Sequence, residues 1–139
     1  MTAQEIIAHL QLQPHPEGGW YRQTWQAENP GRATGTCIYF LLQKNERSHW
    51  HRVDATEIWL YHSGAPLILS LSATSDGPAT DHVLSPDLTK GAPQLIVPKD
   101  NWQAARSTGE YTLVSCTVSP GFEFSGFELA DPDFDISKA

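Results

Sequence analysis

The sequence predicts an all-β barrel or sandwich with one short N-terminal helix. Short runs with strand character succeed one another at 20–26, 34–42, 49–52, 57–61, 67–72, 80–84, 94–97, 102–105, 111–118 and 122–129, separated by turn residues. Strands this short and this frequent belong to sandwiches and barrels. The five Trp, four Tyr and five Phe suit the same class, because aromatic side chains pack well on a pleated surface. The helix is expected at 2–10, where Thr2 and Glu5 have capping-box spacing and Ile6, Ile7 and Leu10 form an apolar stripe. Its expected role is to cover an open end or edge of a sheet. Pro14, Pro16, Gly18 and Gly19 end it and turn the chain into the first long strand.

The 139 residues fit one domain spanning 1–139, with no repeat or linker dividing them. A hydrophobic share of 40% supports one core and excludes a disordered chain. The net charge of -7 repels phosphate backbones, so a nucleic-acid polymer is excluded as a partner, while a single small nucleotide is not. The acidic tail Asp131-Pro132-Asp133-Phe134-Asp135 reads as a solvated end. Cys37 and Cys116 lie in apolar strand-like runs and read as small core residues. No basic stretch followed by an apolar run opens the chain, and no segment is long enough to span a membrane. The expected location is cytoplasmic.

The chemistry concentrates between Ser48 and Gly64. His49 and His51 are two apart, so in a regular strand their imidazoles project from one face. A turn at Asp54-Ala55 would bring Glu57 to the same face, with Trp59 and Tyr61 following at period two. Two His and a carboxylate can hold a divalent transition metal with open positions. They can equally form an acid/base set, since imidazole titrates near neutrality and a carboxylate orients it. Both readings stay open on spacing alone.

The pattern H-x-H, five residues, Glu, six residues, Gly resembles the first motif of the cupin superfamily. The second motif resembles the stretch from Gly91 through Pro98 to Ala105, where Gln103 stands at the position of that motif's His. An amide oxygen is a weak ligand for metals that favour imidazole, so the resemblance implies the fold more firmly than the metal. His15-Pro16-Glu17-Gly18-Gly19-Trp20-Tyr21-Arg22, Ser48-His49-Trp50-His51-Arg52, Glu57-Ile58-Trp59, Trp102-Gln103-Ala104-Ala105 and Pro120-Gly121-Phe122-Glu123-Phe124 together resemble the cupin branch called domain of unknown function 985. That resemblance implies a double-stranded β-helix (a jelly-roll barrel), a homodimer, and a pocket similar to that of sugar-nucleotide epimerase cupins.

Other residues complete the expected site. Glu17 lies in a Gly-rich turn that can approach a ligand, and Arg22 follows as a candidate partner for an anion. Trp59, Tyr61, Trp102, Phe122 and Phe124 are candidate pocket walls. Trp102 and Gln103 point to opposite faces if their strand is regular. His15 and His62 read as structural, and Glu123 as a minor candidate acid.

The function that follows is binding of a small molecule of nucleotide or nucleotide-sugar type, with no cofactor, in a metal-independent isomerase or epimerase. His51 would be the base, Glu57 its orienting group and Tyr61 the acid. His49, Gln103, Trp59, Glu17, Arg22 and Phe124 would contact the ligand. The alternatives are a metal enzyme using His49, His51, Glu57 and Gln103, and a non-catalytic binding module.

Overall fold

The computed structural model describes residues 1–138. Helix α1 (Ala3–Leu10) begins at Thr2, whose side chain accepts from Glu5 N–H while Glu5 returns a bond to Thr2 N–H, the reciprocal cap that the spacing predicts. Eleven strands follow: β1 (Gln13–Pro14), β2 (Trp20–Gln26), β3 (Thr36–Gln43), β4 (Arg47–Val53), β5 (Thr56–Gly64), β6 (Leu67–Ser72), β7 (Thr80–Leu84), β8 (Gln94–Val97), β9 (Trp102–Ser107), β10 (Tyr111–Ser119) and β11 (Phe127–Leu129). They form two antiparallel sheets, β1-β2-β3-β10-β5-β8 and β11-β4-β9-β6-β7. The architecture is the double-stranded β-helix with a short N-terminal helix.

Alternation along the strands builds the core. Phe40 and Leu42 of β3, Trp59 of β5, Leu67 and Leu69 of β6 and Val114 of β10 meet between the sheets. The helix buries Ile6 on the outer face of the six-stranded sheet against Leu41, Trp20 and Tyr39. Among the described residues no helix is long and apolar enough to cross a membrane.

Strand β4 contains the irregularity that matters most. Ser48 pairs with Ala105 and His51 with Gln103, so three steps along β4 match two along β9. The extra residue is a β-bulge, and it reverses the inward–outward alternation. Ser48 and His51 both turn inward, whereas Trp50 turns outward to pack with Trp102 and Ala104.

Two expectations are corrected. Residues 122–129 are not one strand: only Phe127–Leu129 pairs with β4, and Phe124–Gly126 forms a 3₁₀ turn. The chain turns there because Gly126 packs flush on the Asp54 side chain, where a Cβ would overlap the carboxylate, and Asp54 N–H donates to Gly126 O. The acidic tail, exposed at Asp131, Pro132, Asp133 and Asp135, is a docked end and not a free one. It crosses the outer face of the five-stranded sheet, burying Ile136 against Trp50 and Trp102. Trp50 Nε1 donates to Asp135 Oδ1 at 2.8 Å, and Lys138 Nζ reaches Asp81 Oδ2 at 2.7 Å.

Removing residues 131–139 uncovers this apolar face. Urea denaturation should show a loss of about 2–4 kcal/mol, the burial of one or two large side chains. An unchanged midpoint would return the tail to the role of solvated end.

Candidate functional site

A cavity of about 260 Å³ lies between the two sheets. The six-stranded sheet contributes Tyr21, Gln23, Thr36, Ile38, Glu57, Cys116 and Val118. The other sheet contributes His51 and Val53 from β4. His15 and Glu17 enter from the loop between β1 and β2, and Phe122 and Phe124 from the loop after β10.

The Glu17 turn is fastened to β4. Gly18 N–H donates to His15 O at 3.0 Å, and His49 N–H donates to Glu17 O at 2.8 Å. Gly18 has φ +109°, and a Cβ there would overlap the Arg47 carbonyl oxygen. Glycine is required on both counts. Glu17 Oε2 accepts a short hydrogen bond from the Ser48 hydroxyl. The bulge is what places Ser48 and His51 together against this one carboxyl.

Hydrogen-bond partners assign the protons around Glu17 Oε1. His15 Nδ1 accepts from Glu17 N–H at 3.1 Å, which engages its lone pair, and it lies 3.4 Å from Oε1. His51 Nδ1 lies 2.7 Å from His49 O, a carbonyl that can only accept, so this nitrogen carries the proton. His51 Nε2 is then a bare lone pair, 3.6 Å from Glu17 Oε1. The free His51 lone pair faces Oε1, and a protonated carboxyl satisfies that arrangement better than a carboxylate.

Electrostatics agree. Burial pushes the Glu17 carboxyl up to about 8 against the opposing pull of the Ser48 bond. Burial, and then His51 nearby, lowers His15 to about 4. Burial also lowers His51, opposed by the Glu57 charge and the His49 carbonyl. The approach of His51 to Glu17 is therefore a contact of two neutral groups and not an ion pair. Glu57 rises to about 7, through burial first, with Glu17 adding and His51, Gln103 and Cys116 opposing. Burial raises the Cys116 thiol well above its usual value, and the neighbouring carboxylates add to the rise.

Glu57 is held from behind. Gln103 Nε2 donates to Glu57 Oε1 at 2.8 Å, and Trp59 Nε1 donates to Gln103 Oε1 at 2.9 Å. The indole can only donate, so it fixes which way the amide faces. Gln103 thus points inward and Trp102 outward, as strand parity requires.

Of the expected residues, His51, Glu57, Glu17, Phe122 and Phe124 line the cavity and Gln103 supports it. Five others do not reach it, Trp102 among them because it faces the outer cluster. The His49 ring turns out to the tail, with Nε2 2.8 Å from Asp131 O, because the bulge breaks the i, i+2 rule. Tyr61 donates its hydroxyl to Gly64 O at 2.6 Å. Trp59 is core, 1% exposed. Arg22 alternates with the cavity-lining Tyr21 and Gln23, and its Nε is buried without a partner among the described residues. Glu123 lies near Arg32, with Oε1 3.6 Å from Nε. His62 approaches Ser115 Oγ at 2.6 Å, a structural contact. His15 was expected to be structural and instead forms part of the cavity wall. Its spacing of two from Glu17 was the available signal.

The four donors expected of a metal site do not converge. His49 faces away, and Gln103 presents its N–H to Glu57 while its oxygen accepts from Trp59. Among the described residues no group of three or more His, Cys, Asp or Glu is placed to hold a metal ion.

A double-stranded β-helix enclosing one His- and Glu-lined cavity is the architecture of a cupin. The chain belongs to the family described as Cupin superfamily (DUF985), which it matches over residues 4–130. It is similar to a solved protein from Shewanella oneidensis at 38% identity and TM-score 0.88, covering 94% of this chain and 85% of that one. It is similar to a hypothetical protein from Leishmania major at 31% identity and TM-score 0.83, covering 94% and 88%. An oxalate decarboxylase from Bacillus subtilis shares the fold alone, at 12% identity and TM-score 0.65, over 84% of this chain and 29% of that one. No curated protein matches the chain.

The protonation states fix a pH dependence of stability. A carboxyl raised from 4.5 gives its full stability below that value and loses it as pH rises to about 8 for Glu17 and about 7 for Glu57. His15, lowered from 6.5 to about 4, runs oppositely and gains between those values. His51 is lowered too, so the two trends oppose below 6.5. Above 6.5 only the carboxyls remain. The melting temperature should therefore fall from pH 6.5 to pH 8, and Glu17→Gln should flatten the fall. A melting temperature that rises over this interval would contradict the assignment.

Proposed function

We propose that this cupin binds a small molecule of nucleotide or nucleotide-sugar type, without metal, and moves a proton on it as an isomerase or epimerase does. The supporting observation is the approach of Glu17 Oε1 to His51 Nε2, 3.6 Å apart, with both residues buried at the cavity wall. One is a neutral acid and the other a bare base at neutral pH, the pairing that proton transfer needs. The cavity is small for a whole nucleotide, so it takes a base or sugar ring, with phosphates outside.

In the forward step, His51 Nε2 takes a proton from a carbon beside a carbonyl. Glu17 gives its proton to the carbonyl oxygen, and the C–H bonding pair becomes the double bond of an enol. Returning a proton to carbon, and the enol proton to Glu17, restores both groups. The His49 carbonyl holds the ring, and Glu57 stabilises its charged form. Tyr61 drops out as the acid because its hydroxyl serves Gly64. The unconverged donor set supports the metal-independent form.

Keto-bearing nucleotide sugars incubated in D₂O should gain deuterium at the carbon beside the carbonyl, read by NMR or mass. His51→Gln and Glu17→Gln should each slow the exchange by about 10²-fold or more. Tyr61→Phe and His49→Gln should leave it near wild type. Binding without exchange would reduce the chain to a binding module, and exchange lost only after chelation would restore the metal reading.

A further inference from the structure

We infer that the group enclosed in the cavity is a planar nitrogen base whose edge presents N–H donors, of amidine type, and is not an anion. This rests on the reading of the cavity as the ligand site and not on the proton-transfer step, which would need the keto sugar against the same His51 and Glu17. Among the described residues no Lys or Arg lines the cavity. Arg32, beyond the wall, is committed to Asp54 at 2.7 Å and to the Gly121 carbonyl at 2.6 Å. A buried anion would meet two carboxyls with no compensating positive charge.

The polar wall asks instead for donors. His51 is 2% exposed, faces the cavity, and receives no hydrogen bond at Nε2 among the described residues. Glu57 ionises readily near neutrality, and a ligand N–H or positive charge stabilises that form.

The remaining walls suit a flat group. Phe122 and Phe124 line the mouth with ring centroids 5.0 Å apart at 86°. Tyr21 lies 4.5 Å from His15 in an edge contact. Aromatic surfaces favour a planar and partly positive guest. An amidine-type edge therefore meets bases at its rim and rings at its sides.

The test is a matched series of benzamidine, benzamide and benzoate, titrated into the whole chain at pH 7. Binding is read by NMR shifts of His51 and the cavity methyls. Benzamidine should bind at least tenfold more tightly than benzamide, with benzoate weakest. Its binding heat should vary with the ionisation enthalpy of the buffer, because the amidinium displaces a proton from a carboxyl. Glu57→Gln should remove the preference, and Glu17→Gln serves as a second variant if that one fails to fold. Benzoate binding as well as benzamidine, or none of the three shifting cavity signals, overturns the inference. If the series fails while nucleotide sugars still exchange deuterium, only the ligand class is wrong. If benzamidine binds and no exchange occurs, the ligand class stands and the proton-transfer reading falls.

Discussion

One extra residue in β4, between Ser48 and His51, determines the site. Without it, Ser48 and Trp50 would share a face, and so would His49 and His51. With it, Ser48 and His51 both close on Glu17, while His49 and Trp50 turn to the C-terminal tail. A single insertion in the ladder thus binds the strand to two different partners. It also separates the two imidazoles that a metal site would have used together.

The second constraint is desolvation. Glu17 sits at the wall because Gly18 lets the turn lie flush on Arg47, and that depth is what keeps its proton on. Ser48 offsets part of the cost but supplies no charge. His15 and His51 remain neutral for the same reason, so the three groups are mutually consistent in one uncharged state. Glu57, backed by Gln103 and Trp59, is the group closest to ionising at pH 7. Gln103 stands where a cupin would place another imidazole, and here it orients a carboxyl.

The succession of strands and the helix cap were legible because they follow from local pattern, and the opposed faces of Trp102 and Gln103 because they follow from strand parity. Runs such as Leu67–Ser72 and Gln94–Val97 carry their own boundaries in apolar alternation and turn residues. His51 and Glu57 were legible as cavity residues for the same reason. His49, Tyr61 and Arg22 were misplaced where regular strand parity or a candidate role went untested by local pattern. A bulge leaves no mark in composition, and the Gly64 carbonyl that engages Tyr61 is a backbone group invisible to side-chain pattern. The tail misled because its charges are plentiful, while its anchors, Phe134 and Ile136, are few and act only against a sheet face assembled from distant strands.

The central claim is that Glu17 is a neutral acid at pH 7 beside an unprotonated His51 Nε2. The direct measurement is an NMR titration of side-chain carboxyl carbons in protein with ¹³C-labelled glutamate, with Glu17→Gln assigning the signal. The account predicts a Glu17 carbon in its protonated position at pH 7 that titrates near 8. A Glu17 signal already ionised at pH 6, titrating near the ordinary 4.5, would contradict it.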